Sequence, residues 1–439
     1  LFELARKYNR PGPRYTSYPT ALQFTDKADF SFLQNDAATA TEPLSIYIHL
    51  PFCASLCWFC GCTNEVTTDS ARAERYLDYL EREILLYKAA RTAPLPSVAQ
   101  LHYGGGTPNF LSAAQLERLG NFLRAQFNFS SDAECSVELD PRTLSLKQVE
   151  ALAKTGMTRA SIGIQDCDAA VQQAVHRVQP MALNEQAFQW LRANGFTTIN
   201  VDLMYGLPLQ NASSWARTLA SVSALKPDRL AVFNYAHVPW MRPAQKILEK
   251  HPLPAADEKI AMLLEAIGHF EAGGFSYVGM DHFARPSDPL FVARQQGTLR
   301  RNFQGYSTHA GTQIAGFGIS SISQTPRSYR QNHKPLARYE SLIEEGRAPL
   351  ERGYVLTEDD KRRGEAIMQL MCNFKLPAQM LDGFDGMKEK LKSFEADGLI
   401  EWKDGALLVT QLGRLFVRNI AMNFDAYLNS DEQRFSKTV

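Results

Sequence analysis

The chain has 439 residues, of which 45% are hydrophobic and 21% charged, and its 47 Lys and Arg residues balance its 47 Asp and Glu residues. This composition is typical of a folded globular protein with a sizeable core. The zero net charge argues against a nucleic-acid or membrane-surface protein. No apolar run reaches the roughly 18 residues that a membrane span needs.

The first 40 residues predict an irregular arm, because the prolines of RPGPRYTSYPTA hold the residues before them in extended conformations. Six short β-branched or aromatic segments then alternate with amphipathic helical ones. This alternation predicts right-handed βαβ units and a parallel sheet, either a (β/α) barrel or a doubly wound open sheet. The six predicted strands are SIYIHLPF, AQLHYGGG, ECSVELDP, RASIGIQD, TINVDLMYGLP and RLAVFNYAHVP.

Three regions follow from this pattern. We expect an N-terminal arm over the active site at residues 1–40, a catalytic barrel domain at 41–345 and a C-terminal domain at 346–439. The C-terminal sequence predicts a helix, a hairpin and another helix, with an Asp-Gly turn in LIEWKDGALLVT. That order is typical of a small, mainly helical, winged-helix-like domain.

Polar residues or glycines follow each of the six predicted strands. The loops after parallel barrel strands gather at one end, where the active sites of such enzymes lie. A lone polar residue after a strand is usually a helix N-cap, and a glycine run is often only a turn. Six such positions together favour a binding site. They are the loop of four cysteines, the run Gly105, Gly106 and Thr107, then Glu138, Gln165, Asp202, and residues 234–236, which end at Ala236.

Four of the seven cysteines, Cys53, Cys57, Cys60 and Cys62, lie in LPFCASLCWFCGC. The odd count and the clustering argue against disulfides and predict a reducing compartment, so we expect a cytoplasmic protein. A redox dithiol would leave two cysteines unexplained, and structural zinc usually needs a second ligand pair. A [4Fe–4S] cluster held by three thiolates fits the spacing better. Disulfide, dithiol and zinc sites remain the alternatives.

The spacing C-x3-C-x2-C after a first strand, with GGTP after the second, resembles the radical S-adenosylmethionine (SAM) enzymes. The CWFCGC ending and the upstream PGPRYTSYPT resemble one family among them, the HemN-type oxygen-independent coproporphyrinogen III dehydrogenases. The resemblance extends to the C-terminus and implies an α/β fold with a partial (β/α)6 radical SAM barrel. Its other motifs are SVELDPRTLS, GIQDCD, NVDLMYGLP, FNYAHVP, GMDHFARP, RNFQGYST and RFSK.

The resemblance also implies site residues. Cys53, Cys57 and Cys60 would bind the cluster, and Cys62 and Tyr47 would be catalytic positions. The other three cysteines would be core residues. A first SAM molecule would contact Tyr47, Phe59, Gly105, Gly106, Thr107, Glu138, Gln165, Arg177, Asp202 and Ala236. A second SAM molecule would lie near Phe303, Gln304 and Ile322.

The implied activity is the oxidative decarboxylation of two propionates of coproporphyrinogen III to vinyl groups. It implies an external electron donor of the flavodoxin or ferredoxin type, an unknown electron acceptor, no nucleic acid, no membrane and a monomer. Because the substrate has four carboxylates, Arg14, Arg300 and Arg301 are candidate binding residues. A haem-binding carrier of the same superfamily is the alternative, although the CxC ending and the PRYTSYP arm argue against it. A relative that uses the radical to modify haem is a further alternative.

Overall fold

A computed structural model of the chain describes residues 1–428 and 435–438. Arg434, the first residue of the terminal RFSK motif, lies outside the described residues. None of the helices in the described ranges is long and apolar enough to cross a membrane.

One large sheet contains all six predicted strands, in the predicted parallel arrangement. The strands run in chain order across the sheet, each paired in parallel with the next. They are β1 (Leu44–Leu50), β2 (Val98–Gly105), β3 (Phe129–Leu139), β4 (Arg159–Gln165), β5 (Thr198–Tyr205) and β6 (Arg229–Asn234).

Helices connect these strands and cover the outer face of the sheet. Several begin at caps that the sequence supplies: Asp69 accepts a hydrogen bond from the backbone N–H of Ala71, and Ser112 and Asn211 form capping boxes. The crossover helices are Ser70–Ala89, Ala113–Gln126, Leu146–Lys154, Ala169–Ala174, Met181–Ala193 and Ala212–Ala224, and helix Ala256–Ala272 follows β6.

The sheet extends beyond the six strands on both sides. A seventh strand, β7 (Gln313–Phe317), pairs in parallel with β1, although the sequence pattern did not predict it. Antiparallel strands complete both edges. Beyond β7 they are Ile322–Gln324, Ser328–Asn332 and Leu350–Val355, and beyond β6 they are His282–Ala284 and Ser276–Gly279.

The two faces of the sheet differ in polarity. On β2, Leu101 and Tyr103 point outward into the core and are 2% and 0% exposed, whereas Gln100 and His102 point inward. Inward side chains from β2 through β6 line a single cavity of about 200 Å³, which we call the lumen. A flat sheet could not bring five strands to one cavity, so the sheet curves into the predicted partial barrel.

The region after residue 356 contains the predicted hairpin. Strands Ile400–Lys403 and Ala406–Val409 pair in antiparallel fashion around Asp404 and Gly405, whose φ angles of 51° and 77° match the turn expected for Asp-Gly. Strand Lys375–Leu376 adds a third member to this small sheet. The helices here are Glu358–Asn373, Met387–Ala396 and Val417–Ala421, with short 3-10 segments at Ala378–Leu381, Gly413–Phe416 and Met422–Phe424.

The N-terminal arm is not irregular throughout, so that prediction was wrong. It contains helices Phe2–Tyr8 and Phe30–Thr39 and a 3-10 turn at Ala21–Gln23. The first helix forms because Ala5 and Tyr8 bury one side against the core of the C-terminal region, where the Tyr8 ring stacks on Phe394 at 4.7 Å.

The arm and the C-terminal region share this core. Tyr15 and Tyr18 also pack into it, and the buried Arg418 guanidinium donates to the carbonyl oxygens of Gly12 and Pro13. The last strand of the large sheet, Leu350–Val355, lies past residue 345. The domain boundaries stay predictions.

The remaining regular segments are short. Helices Pro289–Gln295 and Leu336–Glu344 flank the sheet edges, and 3-10 segments lie at Pro108–Phe110 and Pro243–Lys250. Two small strand pairs complete the structure: Phe52–Cys53 with Glu65–Val66, and Arg300–Asn302 with Gly305–Ser307.

Candidate functional site

The cysteine loop follows β1 and reaches across the end of the barrel where the parallel strands finish. Later loops hold it in place: the Trp58 backbone N–H donates to the Val175 carbonyl at 3.1 Å, and the Gln245 side chain donates to the Phe59 carbonyl at 3.0 Å. The Thr107 N–H donates to the carbonyl of Phe52 at 2.9 Å. Loops after β2, β4 and β6 therefore fix the loop above the lumen.

The cysteines of this loop are free thiols with polar neighbours. The Cys53 Sγ lies 3.4 Å from the Thr107 hydroxyl. The Cys60 Sγ accepts hydrogen bonds from the Asn64 side chain at 3.5 Å and from the Cys62 backbone N–H at 3.4 Å. Burial raises the pKa of Cys53 to about 11, whereas a hydrogen bond from the Cys62 thiol lowers the pKa of Cys60.

Cys57 is the most deeply buried of the four and lies next to two arginines. Its Sγ accepts hydrogen bonds from Arg142 Nη2 at 3.3 Å and from Arg177 Nη1 at 3.5 Å. Both arginines therefore contact the sulfur of a predicted cluster ligand. The sequence analysis did not identify Arg142.

The donor set fits an iron–sulfur cluster better than a single metal ion. Within the described part of the chain, no three His, Cys, Asp or Glu side chains converge closely enough to bind one ion. A [4Fe–4S] cube instead takes each thiolate on a different iron, so its ligands stand farther apart. Cys53, Cys57 and Cys60 on one loop, with hydrogen-bond donors at Cys57 and Cys60, match this requirement.

Arg177 connects the cysteine loop to the sheet. It is 7% exposed, and its guanidinium donates to the Asp140 carboxylate at 3.1 Å and to the Gly163 carbonyl at 2.5 Å. Burial opposes ionisation of Asp140, but Arg177 and Arg142 outweigh it and hold the pKa of that carboxyl below its ordinary value. The Arg177 Nε is buried without an acceptor among the described residues. This nitrogen is therefore available to donate a hydrogen bond to an anion, as the predicted role of Arg177 requires.

Close packing leaves no room for side chains on the glycines at the end of β2. A Cβ on Gly106 would lie 2.3 Å from the Pro51 carbonyl oxygen, and one on Gly105 would lie 2.8 Å from the His49 ring. Gly105 also has a φ of 117°. Its N–H donates to Glu138 at 3.3 Å. These contacts explain the glycines by packing, in addition to the predicted close approach of SAM to the backbone.

Two carboxyls face the lumen with opposite pKa shifts. Burial opposes ionisation of Glu138, but hydrogen bonds from His102 and Gly105 outweigh it and keep its pKa below the ordinary value. Burial, together with the nearby Glu138 charge, raises the pKa of Asp202 to about 7. Asp202 accepts from Ser161 at 3.0 Å and from Asn200 at 2.8 Å.

Tyr47 and two histidines form an aromatic group below the cysteine loop. The Tyr47 hydroxyl lies 3.0 Å from His49 Nδ1, and His49 Nε2 lies 3.0 Å from the Thr63 carbonyl. The Tyr47 ring stacks on His102 at 5.9 Å. Burial lowers the pKa of His49 to about 4, so this imidazole is neutral at pH 7. The sequence analysis assigned no role to His49 or His102.

Of the three positions predicted for the second SAM molecule, one lines the lumen and two do not. Gln304 joins Glu138 and Asp202 in lining the lumen, and its amide lies 3.4 Å from the Ser45 hydroxyl. Phe303 and Ile322 do not line it; Phe303 packs on the Tyr329 ring at 6.1 Å.

The remaining predicted residues lie around the barrel end. Gln165 ends β4 in a left-handed conformation with a φ of 68°, and Ala236 follows β6 by two residues. Phe59 is buried against Tyr235 and Leu248. Of the three cysteines predicted to be core residues, Cys135 and Cys372 are buried and Cys167 is partly buried.

Asp140, Arg142, His49 and His102 were missed for identifiable reasons. Asp140 and Arg142 lie in the segment LDPRT, which is typical of a turn that leads from a strand into a helix. His49 and His102 alternate with apolar residues on their strands. That alternation was a usable signal, since fully buried parallel strands are normally apolar on both sides.

Two known families match separate parts of the chain. Residues 47–222 match the Radical SAM superfamily, and residues 356–416 match the HemN C-terminal domain. The chain is 44% identical to the oxygen-independent coproporphyrinogen III oxidase of Salmonella typhimurium, covering 99% of this chain and 98% of that protein. It is 41% identical to the protein of the same name from Helicobacter pylori, covering 100% and 99%.

A solved structure has the same fold over nearly the whole length. The coproporphyrinogen III oxidase HemN of Escherichia coli, described as a radical SAM enzyme, superposes with a TM-score of 0.88 at 43% identity, covering 94% of this chain and 98% of that one. Full-length similarity at this level agrees with the cysteine loop, the glycine run and the polar lumen. The chain therefore belongs to the oxygen-independent coproporphyrinogen III oxidase family within the radical SAM superfamily.

Proposed function

We propose that this protein oxidatively decarboxylates the ring A and ring B propionates of coproporphyrinogen III to vinyl groups, forming protoporphyrinogen IX without oxygen in haem biosynthesis. The observation that carries the proposal is the end-to-end similarity to coproporphyrinogen III oxidases, at 44% identity over 99% of the chain. The cysteine loop above a polar lumen supports it.

The proposal assigns a [4Fe–4S] cluster to Cys53, Cys57 and Cys60, with Cys62 and Tyr47 as catalytic positions. When bound, the reduced cluster and SAM supply a hydrogen-abstracting 5′-deoxyadenosyl radical. The chain's part is to orient SAM and to exclude water from the lumen. SAM is assigned to Tyr47, Phe59, Gly105, Gly106, Thr107, Glu138, Gln165, Arg177, Asp202 and Ala236, and a second SAM to Phe303, Gln304 and Ile322.

Arg301 is the best candidate for binding a substrate carboxylate. Of the three predicted arginines, Arg14 pairs with Asp281 and Arg300 pairs with Glu365 at 2.7 Å. Arg301 is only 7% exposed, and its Nε and Nη1 have no acceptor among residues 1–428 and 435–438. A buried guanidinium without an acceptor is costly, and a propionate would supply one.

Aromatic rings line the route from these cations to the lumen. Arg301 lies over the Tyr306 ring at 5.0 Å, and Arg14 over the Phe233 ring at 5.6 Å. Both rings line the lumen, and His282 contacts both of them edge-on. Flat apolar walls with cations behind them suit a pyrrole macrocycle with carboxylate arms. The position of Arg14 also supports the predicted role of the arm over the active site.

The proposal includes partners and location. The protein acts as a cytoplasmic monomer, takes electrons from an external donor of the flavodoxin or ferredoxin type, and passes the electrons from its substrate to an acceptor of unknown identity. The odd number of cysteines supports a reducing compartment.

An anaerobic assay tests the proposed reaction. The cluster is reconstituted, SAM, a reductant and coproporphyrinogen III are added, and the porphyrin is quantified after oxidation. We expect protoporphyrin from the wild type and none from the Cys53→Ala variant. An intact cluster that cleaves SAM but yields no protoporphyrin would discard this substrate and favour a haem-modifying enzyme. Haem binding without SAM cleavage would favour the carrier.

A further inference from the structure

Large apolar side chains are exposed directly beside the cysteine loop. Trp240 is 63% exposed, and Met241 and Val178 are each 57% exposed, which makes these three the most exposed large apolar residues in the described part of the chain. Contiguous exposed apolar surface on a folded protein commonly marks an interaction site.

These residues lie in the two segments that hold the cysteine loop. His176 Nδ1 lies 2.8 Å from the Leu56 carbonyl, and the His176 ring stacks on Trp58 at 5.0 Å. On the other side, Arg242 donates to the carbonyl oxygen of Gly61. Each exposed residue is therefore at most two positions from a residue that touches the loop.

A compact apolar cluster lies underneath. Phe59 and Cys57 of the loop pack with Val175, Tyr235 and Leu248, all 9% exposed or less. The chain segments that carry the exposed residues therefore contribute Val175, Tyr235 and Leu248 to the same apolar cluster as the cysteine loop.

The same surface carries excess positive charge. Residues 240–250 include three cations, Arg242, Lys246 and Lys250, and one carboxylate, Glu249, while residues 53–62 carry no charged side chain. Lys246 and Lys250 are exposed on the 3-10 helix Pro243–Lys250, and the Glu249 carboxylate lies 3.1 Å from His237 Nε2. We call Val178, Trp240, Met241, Lys246 and Lys250 the flanking face.

We propose that the flanking face is the docking site of the external one-electron donor, a small redox protein with an acidic surface around an apolar patch at its redox centre. The inference rests on the proposed function, because it requires the cluster in the cysteine loop. In the step it serves, one electron leaves the reduced donor and enters the oxidised cluster. The donor is oxidised by one electron, the cluster is reduced by one, and no covalent bond forms or breaks.

The character of the face fits such an encounter better than it fits substrate binding. A donor protein is too large to enter the lumen and must approach the cluster from the outer surface. Electron-transfer encounters use small interfaces, under about 1,200 Å² in total. A face that combines exposed apolar residues with cations attracts an acidic partner quickly and releases it quickly, as repeated delivery of single electrons requires.

The test compares a protein donor with a small chemical reductant. The variants are Trp240→Ser and the double charge reversal Lys246→Glu/Lys250→Glu. The matched controls are Leu85→Ser, at an exposed leucine on the outer helix Ser70–Ala89, and Lys388→Glu/Lys392→Glu, which has the same four-residue spacing. Binding of flavodoxin to the holoenzyme is measured by calorimetry at low salt. Reduction of the cluster by flavodoxin hydroquinone or by dithionite is followed by stopped-flow absorbance.

We expect each flanking-face variant to weaken flavodoxin binding roughly tenfold or more and to slow cluster reduction by flavodoxin in proportion. Reduction by dithionite should remain at the wild-type rate, and the controls should behave as wild type. Wild-type flavodoxin affinity in both flanking-face variants would overturn the proposal. So would an equal loss of rate with dithionite, since that would assign these residues to holding the cluster.

Neither readout uses coproporphyrinogen. Failure of the proposed function therefore has a different signature: the wild type would bind flavodoxin and accept its electron but form no protoporphyrin.

Discussion

The inner and outer faces of the same strands have opposite characters. On β2, Leu101 and Tyr103 point into a close-packed apolar core, and His102 points into the lumen between Tyr47, Ser136 and Glu138. Barrels of this general kind usually fill their interior with branched apolar side chains. Here the outer face alone supplies the core, which leaves the inner face free for binding.

Burying polar groups on the inner face costs free energy, and hydrogen bonds to neighbouring groups offset most of that cost. A buried polar group without a hydrogen bond costs about 1–3 kcal/mol. Most inner-face groups avoid this: His102 Nδ1 meets the Ser136 hydroxyl at 2.7 Å, and Asn200 donates to Ser161 and Asp202, each at 2.8 Å. His282 Nδ1 and two Arg301 nitrogens remain without partners among the described residues. Ligands are therefore expected at those atoms, and substitutions on the two faces should separate activity from stability.

The largest effect on activity is expected from Cys57→Ser. The serine hydroxyl is a hard ligand with a high pKa and cannot replace a thiolate on iron. We expect iron content to fall and protoporphyrin formation to drop to background, measured by metal analysis and the anaerobic assay. The matched control is Cys167→Ala, which removes a thiol that is not on the loop. Loss of the cluster in that control would mean that Cys57→Ser acts through general destabilisation.

Arg177→Lys should have the next largest effect. A lysine ammonium keeps the charge but cannot donate to Asp140 and Gly163 and still present a planar pair of donors to a carboxylate. We expect the Kd for SAM to rise roughly tenfold to a hundredfold, measured by calorimetry on the reconstituted enzyme. Arg142→Lys is the control, because Arg142 shares Asp140 and Cys57 but is not a predicted SAM contact. Equal losses in both variants would trace the effect to Asp140 rather than to SAM.

Arg301→Met should weaken substrate binding and leave SAM binding intact. Methionine has a similar length but no charge, so the KM for coproporphyrinogen III should rise roughly tenfold with little change in the Kd for SAM. Arg300→Met is the matched control, since Arg300 pairs with Glu365. If the KM changed only in the Arg300 variant, the substrate carboxylate would have to be assigned to the other arginine.

Asp202→Asn should change how stability depends on pH. Because the folded-state pKa of Asp202 is about 7 and the unfolded value is about 3.9, only the unfolded chain releases this proton between those pH values. The carboxyl therefore lowers the free energy of unfolding by up to about 4 kcal/mol as pH rises from about 4 to about 7, and no further above that. In the ligand-free Asp202→Asn variant, the free energy of unfolding should no longer fall in this way with pH, as measured by urea unfolding across that range.

Glu83→Gln is the comparison on the outer face. Burial raises the pKa of Glu83 to about 7. The substitution Glu83→Gln should therefore also reduce the pH dependence of the free energy of unfolding over the same pH range. Only Asp202→Asn should also weaken SAM binding. An unchanged slope in Asp202→Asn would mean that water in the lumen keeps this carboxyl near its ordinary pKa.

The sequence was sufficient for the barrel because its signals are local. Strands, crossover helices and the Asp-Gly hairpin each carry their own pattern, and most predicted strand boundaries fall within a few residues of the observed ones. Positions such as Glu138 and Asp202 could be found because parallel strands all end on one side of the sheet.

What the sequence missed depends on contacts between distant segments. Strand β7 is only five residues long and is specified by its pairing with β1, some 270 residues earlier. The helix Phe2–Tyr8 depends on a core supplied by the C-terminal region. The link between Asp140, Arg142 and Arg177 exists only after the loops beyond β3 and β4 meet, so spacing along the chain could not reveal it.

The smallest effect on activity is expected from Leu101→Ala, next to His102 on the same strand. Leu101 is 2% exposed in the outer core, so truncation should leave a cavity and lower the free energy of unfolding by about 2–5 kcal/mol. Because its side chain points away from the lumen, kcat/KM should stay within about twofold of wild type at a temperature where the variant is folded. His102→Ala should do the opposite, lowering activity with a smaller loss of stability, because it removes a hydrogen-bond partner of Glu138. A large change in the SAM affinity of Leu101→Ala would show that the two faces are coupled through the strand.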